Sequence, residues 1–266
     1  MATETKRKFA VVTGASSGIG FELARQCLEH GFDVLICAED AAIDGAAKQL
    51  ETAGALVIPF QADLATYDGV ERLYQAIRDQ HRPVDALLLN AGIGVGGEFI
   101  KTDLAADLRT IALNCNHTVH LAKRVLPDMV SRRQGRVLMT GSIVSTSPNP
   151  YQAVYGATKA FVMSFGEALR YELKDTGVTV TVLQPGVTDT RFFERADLRD
   201  TKIGQSSKDD PALVARQGFD AMMAGKDSVL AGSLKSKVEG LMNELLPETV
   251  KAAQAAKRTR PGSAKQ

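Results

Sequence analysis

Residues 9–20 read FAVVTGASSGIG: an unbroken apolar run, then a turn carrying three glycines, then residues that resume with helical period. A run without polar alternation suits a strand buried on both faces. Gly14 allows the tight turn after it, Gly18 lets the backbone approach a ligand, and Gly20 permits close helix–sheet packing. Free N–H groups at the helix start, with the positive end of its dipole, make an anion site suited to a pyrophosphate. The spacing is Gly-x-x-x-Gly-x-Gly, so a plain strand-to-helix turn is the competing reading. What surrounds the turn decides between them.

Outward from this stretch the same alternation repeats. Short apolar runs lie at 9–14, 33–38, 55–60, 84–90, 135–142 and 178–185, with a weaker one at 228–232. Helix-like segments lie between them, near 18–30, 41–53, 67–80, 101–132, 151–175 and 208–224. Strand and helix in turn imply right-handed crossovers and a parallel sheet covered on both faces. The expected fold is therefore α/β: a Rossmann-like, doubly wound, mainly parallel sheet of about seven strands. Ligands bind such sheets at the carboxyl ends of the strands. No composition shift divides the chain, so residues 1–250 are expected to form one dinucleotide-binding and catalytic domain. The basic ending AKRTRPGSAKQ (256–266) reads as a flexible, solvated tail, expected from 251 onward.

Composition excludes several classes. Thirty-two basic residues against thirty-one acidic ones leave almost no net charge, which argues against nucleic acid or an anionic membrane as partner. Cys27, Cys37 and Cys115 are odd in number and lie in apolar-periodic stretches, so they read as reduced, buried thiols. No segment approaches the roughly 18 apolar residues of a membrane span, and the first residues lack a signal-peptide core. A soluble, cytoplasmic protein is expected. His117 and His120 stand at i, i+3, but no third ligand is evident, so no metal is expected and helix packing or a subunit contact is the reading.

Two further places carry chemistry. The second strand ends in CAED (37–40), and Glu39 follows Gly20 by nineteen residues, where a carboxylate can accept from the adenosine ribose. It would repel a 2′-phosphate, and Ser17 in the glycine turn supplies no opposing cation, so NAD is favoured over NADP. Asp40 is the alternative ribose partner. In YGATK (155–159), Tyr155 and Lys159 share one helix face. A free phenol titrates near about 10, and lowering that by about three units takes about 4 kcal/mol. A fixed cation in a partly dry cleft can supply part of it. Alone, the pair is equally a half-buried tyrosine beside a solvated lysine.

The glycine turn, NAG (90–92) after the fourth strand and SIVSTSPNPYQAVYGATK (142–159) together resemble the short-chain dehydrogenase/reductase family over roughly residues 8–225. The resemblance implies a catalytic set of Asn114, Ser142, Tyr155 and Lys159. Tyr155 would exchange a proton with the substrate oxygen, Ser142 would hold that oxygen, and Lys159 would favour the phenolate and donate to the nicotinamide ribose. Asn114 would hold a water linking Lys159 to solvent. Ser16 and Ile19 would help hold the pyrophosphate in the turn that contains Ser17. Asp63 would accept from the adenine amino group, with Leu64 contributing main chain. Asn90, Ala91 and Gly92 would pass beside the adenosine ribose. Pro185, Gly186 and Thr188 would seat the carboxamide, with Thr190 nearby.

The chain departs from the family pattern in two places. A glycine-paired last strand is replaced by VLAGSLKSKVEGLMNELLPETVKAAQ (229–254), read as a short strand and a helical stretch, which puts tetramer assembly in doubt. A homodimer through the long helices near 101–132 and 151–175 is expected, with a homotetramer as the alternative. RFFERADLRDTKIGQSSKDD (191–210) stands where the family has its substrate lid, and its mixed charge selects no definite alcohol or carbonyl compound. The implied function is hydride transfer between NAD and a secondary alcohol or ketone. A catalytically silent dinucleotide sensor is the alternative, disfavoured by the intact Ser142, Tyr155 and Lys159. A sugar-nucleotide epimerase is disfavoured by the short chain.

Overall fold

In the computed structural model, residues 7–52, 54–234, 236 and 246–265 are described. The opening run is strand β1 (Lys8–Thr13), and helix α1 (Gly18–Glu29) follows its glycine turn. Next come β2 (Phe32–Ala38), α2 (Ala42–Leu50), β3 (Val57–Gln61), α3 (Tyr67–Arg78) and β4 (Ala86–Leu89). The long helical segment expected near 101–132 divides into α4 (Leu104–Ile111), a π-helical turn (Ala112–Asn116) and α5 (His117–Ser131). Then follow β5 (Gly135–Thr140), α6 (Ala153–Leu173) and β6 (Val178–Pro185). Two short helices, α7 (Phe192–Arg195) and α8 (Lys202–Gln205), precede α9 (Pro211–Met223), β7 (Ser228–Ala231) and α10 (Glu248–Thr259).

The seven strands form one parallel sheet in the order β3-β2-β1-β4-β5-β6-β7. After β3 the chain returns to the far side of β1, so the order reverses between β1 and β4 and a cleft opens at their carboxyl ends. Strand β1 shows why its sequence lacks alternation. Ala10 and Val12 join the apolar cluster under α1, α2 and α9, while Phe9 and Val11 join the cluster under α3, α5 and α6. Both faces are buried. Pro59 lies in β3, an edge strand, where a missing N–H donor costs least.

The flexible tail expected at 251–266 is not what the structure holds. Residues 248–259 are helical, and Lys251, Thr259 and Ser263 are buried. A basic composition suggested solvation, but this segment turns Lys251 and the Thr259 hydroxyl toward the loop after β5. Thr259 Oγ1 donates to the Pro150 carbonyl at 2.7 Å, and Lys251 Nζ lies 3.4 Å from the Thr146 carbonyl oxygen. Most of the helical stretch expected after β7, at 235 and 237–245, lies outside the described residues, as do the first six residues of the chain and Gln266.

Candidate active site

The loop after β5 begins at Ser142, whose Oγ accepts from Val144 N at 3.3 Å while Ser145 Oγ accepts from Ser142 N at 3.0 Å. This reciprocal cap fixes a 3-10 turn over Ile143–Thr146. Tyr151, with φ +62°, turns the chain into α6. The third residue of that helix is Tyr155, and Lys159 follows one turn later on the same face. Lys159 Nζ donates to the Thr140 carbonyl at 2.8 Å and stands 5.7 Å from the Tyr155 ring centroid. The Ser142 hydroxyl lies near enough to the phenol to draw its pKa downward. Phe192 of α7 packs against the tyrosine ring with centroids 4.9 Å apart.

Electrostatics here differ from the expectation in one respect. Burial pushes the Tyr155 phenol up to about 12, with Ser142 pulling the other way. Lys159 does not offset that burial. Its own ammonium is brought down to about 8 by burial. The physical reason is common to both: a dry site penalises each charged form, the phenolate and the ammonium. The polypeptide alone therefore holds a neutral phenol beside a weakened cation.

Asn114 lies one layer behind the cavity, in the π-helical turn. Its Nδ2 donates to the Ile93 carbonyl and to Thr158 Oγ1, both at 2.9 Å, and its Oδ1 accepts from Ile93 N at 3.0 Å. It ties the loop after β4 to α6. A Cβ added at Gly92 would stand 3.1 Å from Asn114 Oδ1 and 3.3 Å from Lys159 Nζ, so a bare glycine leaves room for both.

From Tyr155 and Lys159 the same cavity runs to the glycine turn, lined by Gly14, Ser16, Ser17, Gly18, Ile19 and Gly20. Gly14 and Gly18 have φ +69° and +59°, and a Cβ on Gly20 would strike the Gly14 carbonyl oxygen at 2.2 Å. All three must be glycine. Ser17 makes no side-chain cap, leaving the first N–H groups of α1 open toward the cavity. Asn90 stitches three strand ends: its Nδ2 donates to Thr13 O at 3.1 Å and its Oδ1 accepts from Thr140 Oγ1 at 3.1 Å. Ala91 and Gly92 continue the wall.

At the β2–β3 end stand Glu39, Asp63 and the buried Leu64. Both carboxylates are held by Arg109 of α4, a residue the sequence did not single out. Arg109 Nη2 is 2.6 Å from Glu39 Oε2, and its fork meets Asp63 at 2.9 and 3.0 Å. That fork holds the Asp63 carboxyl below the usual range. Asp40 pairs with Arg195 of α7 at 3.1 Å. Arg109 lies 70 and 46 residues from its partners, so nothing local marks it. At the β6 end, Pro185, Gly186, Thr188 and Thr190 line the cavity. Thr188 Oγ1 donates to Gly186 O at 3.0 Å, and Thr190 Cγ2 would lie 2.9 Å from a Cβ on Gly18. Among the residues expected to form the site, Asn114 alone is absent from this lining.

His117 is buried, its Nδ1 bonded to the Leu113 carbonyl at 3.1 Å, and burial brings it down to about 4. His120 pairs with Glu71 and stacks on Tyr67, ring centroids 4.6 Å apart. Cys27, Cys37 and Cys115 are buried free thiols, all pushed up by burial. Among the described residues no helix is long and apolar enough to cross a membrane.

Residues 8–200 match the family model described as short chain dehydrogenase. The NADP-dependent 3-hydroxy acid dehydrogenase YdfG of Salmonella typhi is 32% identical over 206 residues, covering 76% of this chain and 82% of that protein. Dehydrogenase/reductase SDR family member 7B of Rattus norvegicus is 30% identical over 247 residues, covering 89% of this chain and 74% of that protein. Among solved structures, a short-chain dehydrogenase from Sphingobium yanoikuyae in complex with NADPH superposes with TM-score 0.78 at 26% identity, covering 90% of this chain and 96% of that one. A Burkholderia phymatum short-chain dehydrogenase/reductase in complex with NAD, 24% identical and covering 85% of this chain and 89% of that one, shares the fold at TM-score 0.78.

Proposed function

This chain belongs to the short-chain dehydrogenase/reductase family, and from that premise we propose that it is an oxidoreductase moving a hydride between a nicotinamide dinucleotide, NAD preferred, and a secondary alcohol or ketone. One observation carries the reading: Ser142, Tyr155 and Lys159 converge at one end of a cavity whose other stretch is the uncapped glycine turn. The chain's residues fit such a cofactor. Glycines without Cβ atoms leave room for an anion at the start of α1, and Glu39 would offer a carboxylate to ribose hydroxyls. Pro185, Gly186, Thr188 and Thr190 border the cavity where the nicotinamide would lie. When bound, a nicotinamide supplies the hydride chemistry and, oxidised, a positive charge beside the phenol.

In this mechanism Ser142 Oγ donates to the reacting oxygen and Tyr155 Oη gives or takes its proton. With burial holding the phenol protonated, Tyr155 is ready as a general acid for ketone reduction. In the oxidation direction it needs added positive charge to lose its proton. Lys159 uses one N–H on Thr140 O, leaving donors for a ribose hydroxyl. Asn114 positions Ile93 and Thr158 around that lysine. Phe192 covers the tyrosine ring and excludes water. The buried thiols favour a reducing, cytoplasmic location, and a second copy of the chain is the preferred partner.

A panel of secondary alcohols and ketones, read by absorbance of the reduced nicotinamide with NAD and NADP in turn, tests the reading. Turnover is expected on some member, reduced about 10²- to 10⁴-fold or more in Tyr155→Phe, with nucleotide binding retained. Tyr155→Phe activity close to that of the unmodified chain would sink the acid–base assignment. Nucleotide binding with no turnover across the panel would favour a dinucleotide sensor.

A further inference from the structure

The rim formed by the ends of β2 and β3 carries more positive charge than its sequence suggested. Glu39, Asp40 and Asp63 face two guanidiniums, Arg109 from α4 and Arg195 from α7, leaving a net of one negative charge instead of three. Arg109 is the central member. It reaches Glu39 at 2.6 Å and spans Asp63 with both arms of its fork. Arg109 and Glu39 side chains are 39% and 42% exposed, so water screens their pair and it opens at small cost. A guanidinium fork fits a phosphate as well as a carboxylate.

We propose that Arg109 sets which nicotinamide dinucleotide this chain accepts: it offsets the repulsion between Glu39 and a 2′-phosphate, and turns its fork to that phosphate when one is present. The inference rests on the dinucleotide reading above and adds to it a residue outside the glycine turn and the β2 terminus. A ribose bearing two free hydroxyls needs only the Glu39 carboxylate. A ribose bearing a phosphate needs a cation within reach of that carboxylate, and Arg109 is bonded to it. Without Arg109, Glu39 and Asp63 stand uncompensated at the same place, and the rim excludes the phosphorylated nucleotide. Arg195 compensates only the neighbouring Asp40.

The test is equilibrium binding of NADH and of NADPH, read by fluorescence of the bound reduced nicotinamide at fixed ionic strength, with no substrate present. In Arg109→Leu the Kd for NADPH is expected to rise about tenfold relative to that for NADH, which changes less than threefold and reports that the variant is folded. Arg109→Lys, which keeps the charge, is expected to hold the ratio within about threefold of the unmodified chain. Adding Glu39→Gln to Arg109→Leu is expected to recover NADPH binding by removing the repulsion. A ratio that stays within about twofold in Arg109→Leu, or moves toward NADPH, overturns the inference and leaves the redox reading standing. Failure of both nucleotides to bind the unmodified chain overturns the redox reading and this inference together.

Discussion

Lys159 shows how much a single side chain depends on surroundings its sequence neighbours do not disclose. The pair with Tyr155 was legible at i, i+4, but the sign of its electrostatics was not, because burial dominates it. That burial is made by the folded chain around Nζ, where the Thr140 carbonyl and Gly92 stand close by from distant positions in the sequence. Its folded pKa of about 8 lies below the ordinary lysine value, 10.5, so the unfolded chain binds the extra proton between those limits. This lysine's contribution to stability therefore rises with pH from about 8 toward about 10.5, and below 8 its full burial cost is present. Over two pH units this is about 3 kcal/mol. Over the same range the buried thiols and the Tyr155 phenol, which burial raises, work the other way. The lysine's share is therefore read as a difference: urea unfolding at pH 8 and pH 10 should show the unmodified chain gaining stability with pH relative to Lys159→Met. The ketone-reduction rate should also fall as pH passes upward through about 8, since the ammonium that orients a ribose is then lost. An unchanged rate to pH 10 would mean that the lysine's charge is not needed.

Among the elements, α10 departs from expectation in its second half, for 248–254 falls within the helical stretch read from the sequence while the residues after it were read as tail. It holds both segments that flank Tyr155. Thr259 and Lys251 bond the 146–150 loop, and Gly262 N meets Asp200 Oδ2 at 2.8 Å while Ser263 Oγ accepts from Lys202 N at 2.9 Å. Helix periodicity marks such a segment only weakly, since alanines predominate and the deciding contacts are hydroxyls meeting distant carbonyls. Thr259→Val removes one buried hydrogen bond, at a cost of about 1 kcal/mol or more. We expect deletion of 248–266 to raise KM for a panel ketone about tenfold and to speed tryptic cleavage after Arg195 and Arg199. The Kd for NADH should shift less than twofold. Equal losses in ketone and nucleotide binding would instead mean that α10 supports the fold generally.

At the scale of the whole molecule, α4 exposes Leu104, Leu108 and Ile111 at i, i+4 and i+7, and Phe161 of the adjoining α6 is also exposed. An apolar stripe of that kind on two packed helices suits a second copy of the chain. Leu108→Glu should halve the mass seen by light scattering if the homodimer forms there, with the circular dichroism of the folded chain kept. A single mass for both proteins would remove this face from consideration. The element order and the positions of the strands were readable from the sequence, because a strand buried on both faces requires an unbroken apolar run and a crossover helix requires its own period. The three glycines of the turn were readable because part of each constraint is local: positive φ at Gly14 and Gly18, and at Gly20 the carbonyl of Gly14 in the same turn. What only the tertiary structure decided depends on groups brought together from far apart in the chain. Arg109 reaches Glu39 and Asp63 across 70 and 46 residues, burial raises Tyr155 and lowers Lys159, and the basic C-terminal stretch docks because Pro150 and Asp200 lie within its reach. Periodicity carries no information about such meetings, since charge pairing and desolvation depend on distance in space and not on spacing along the chain.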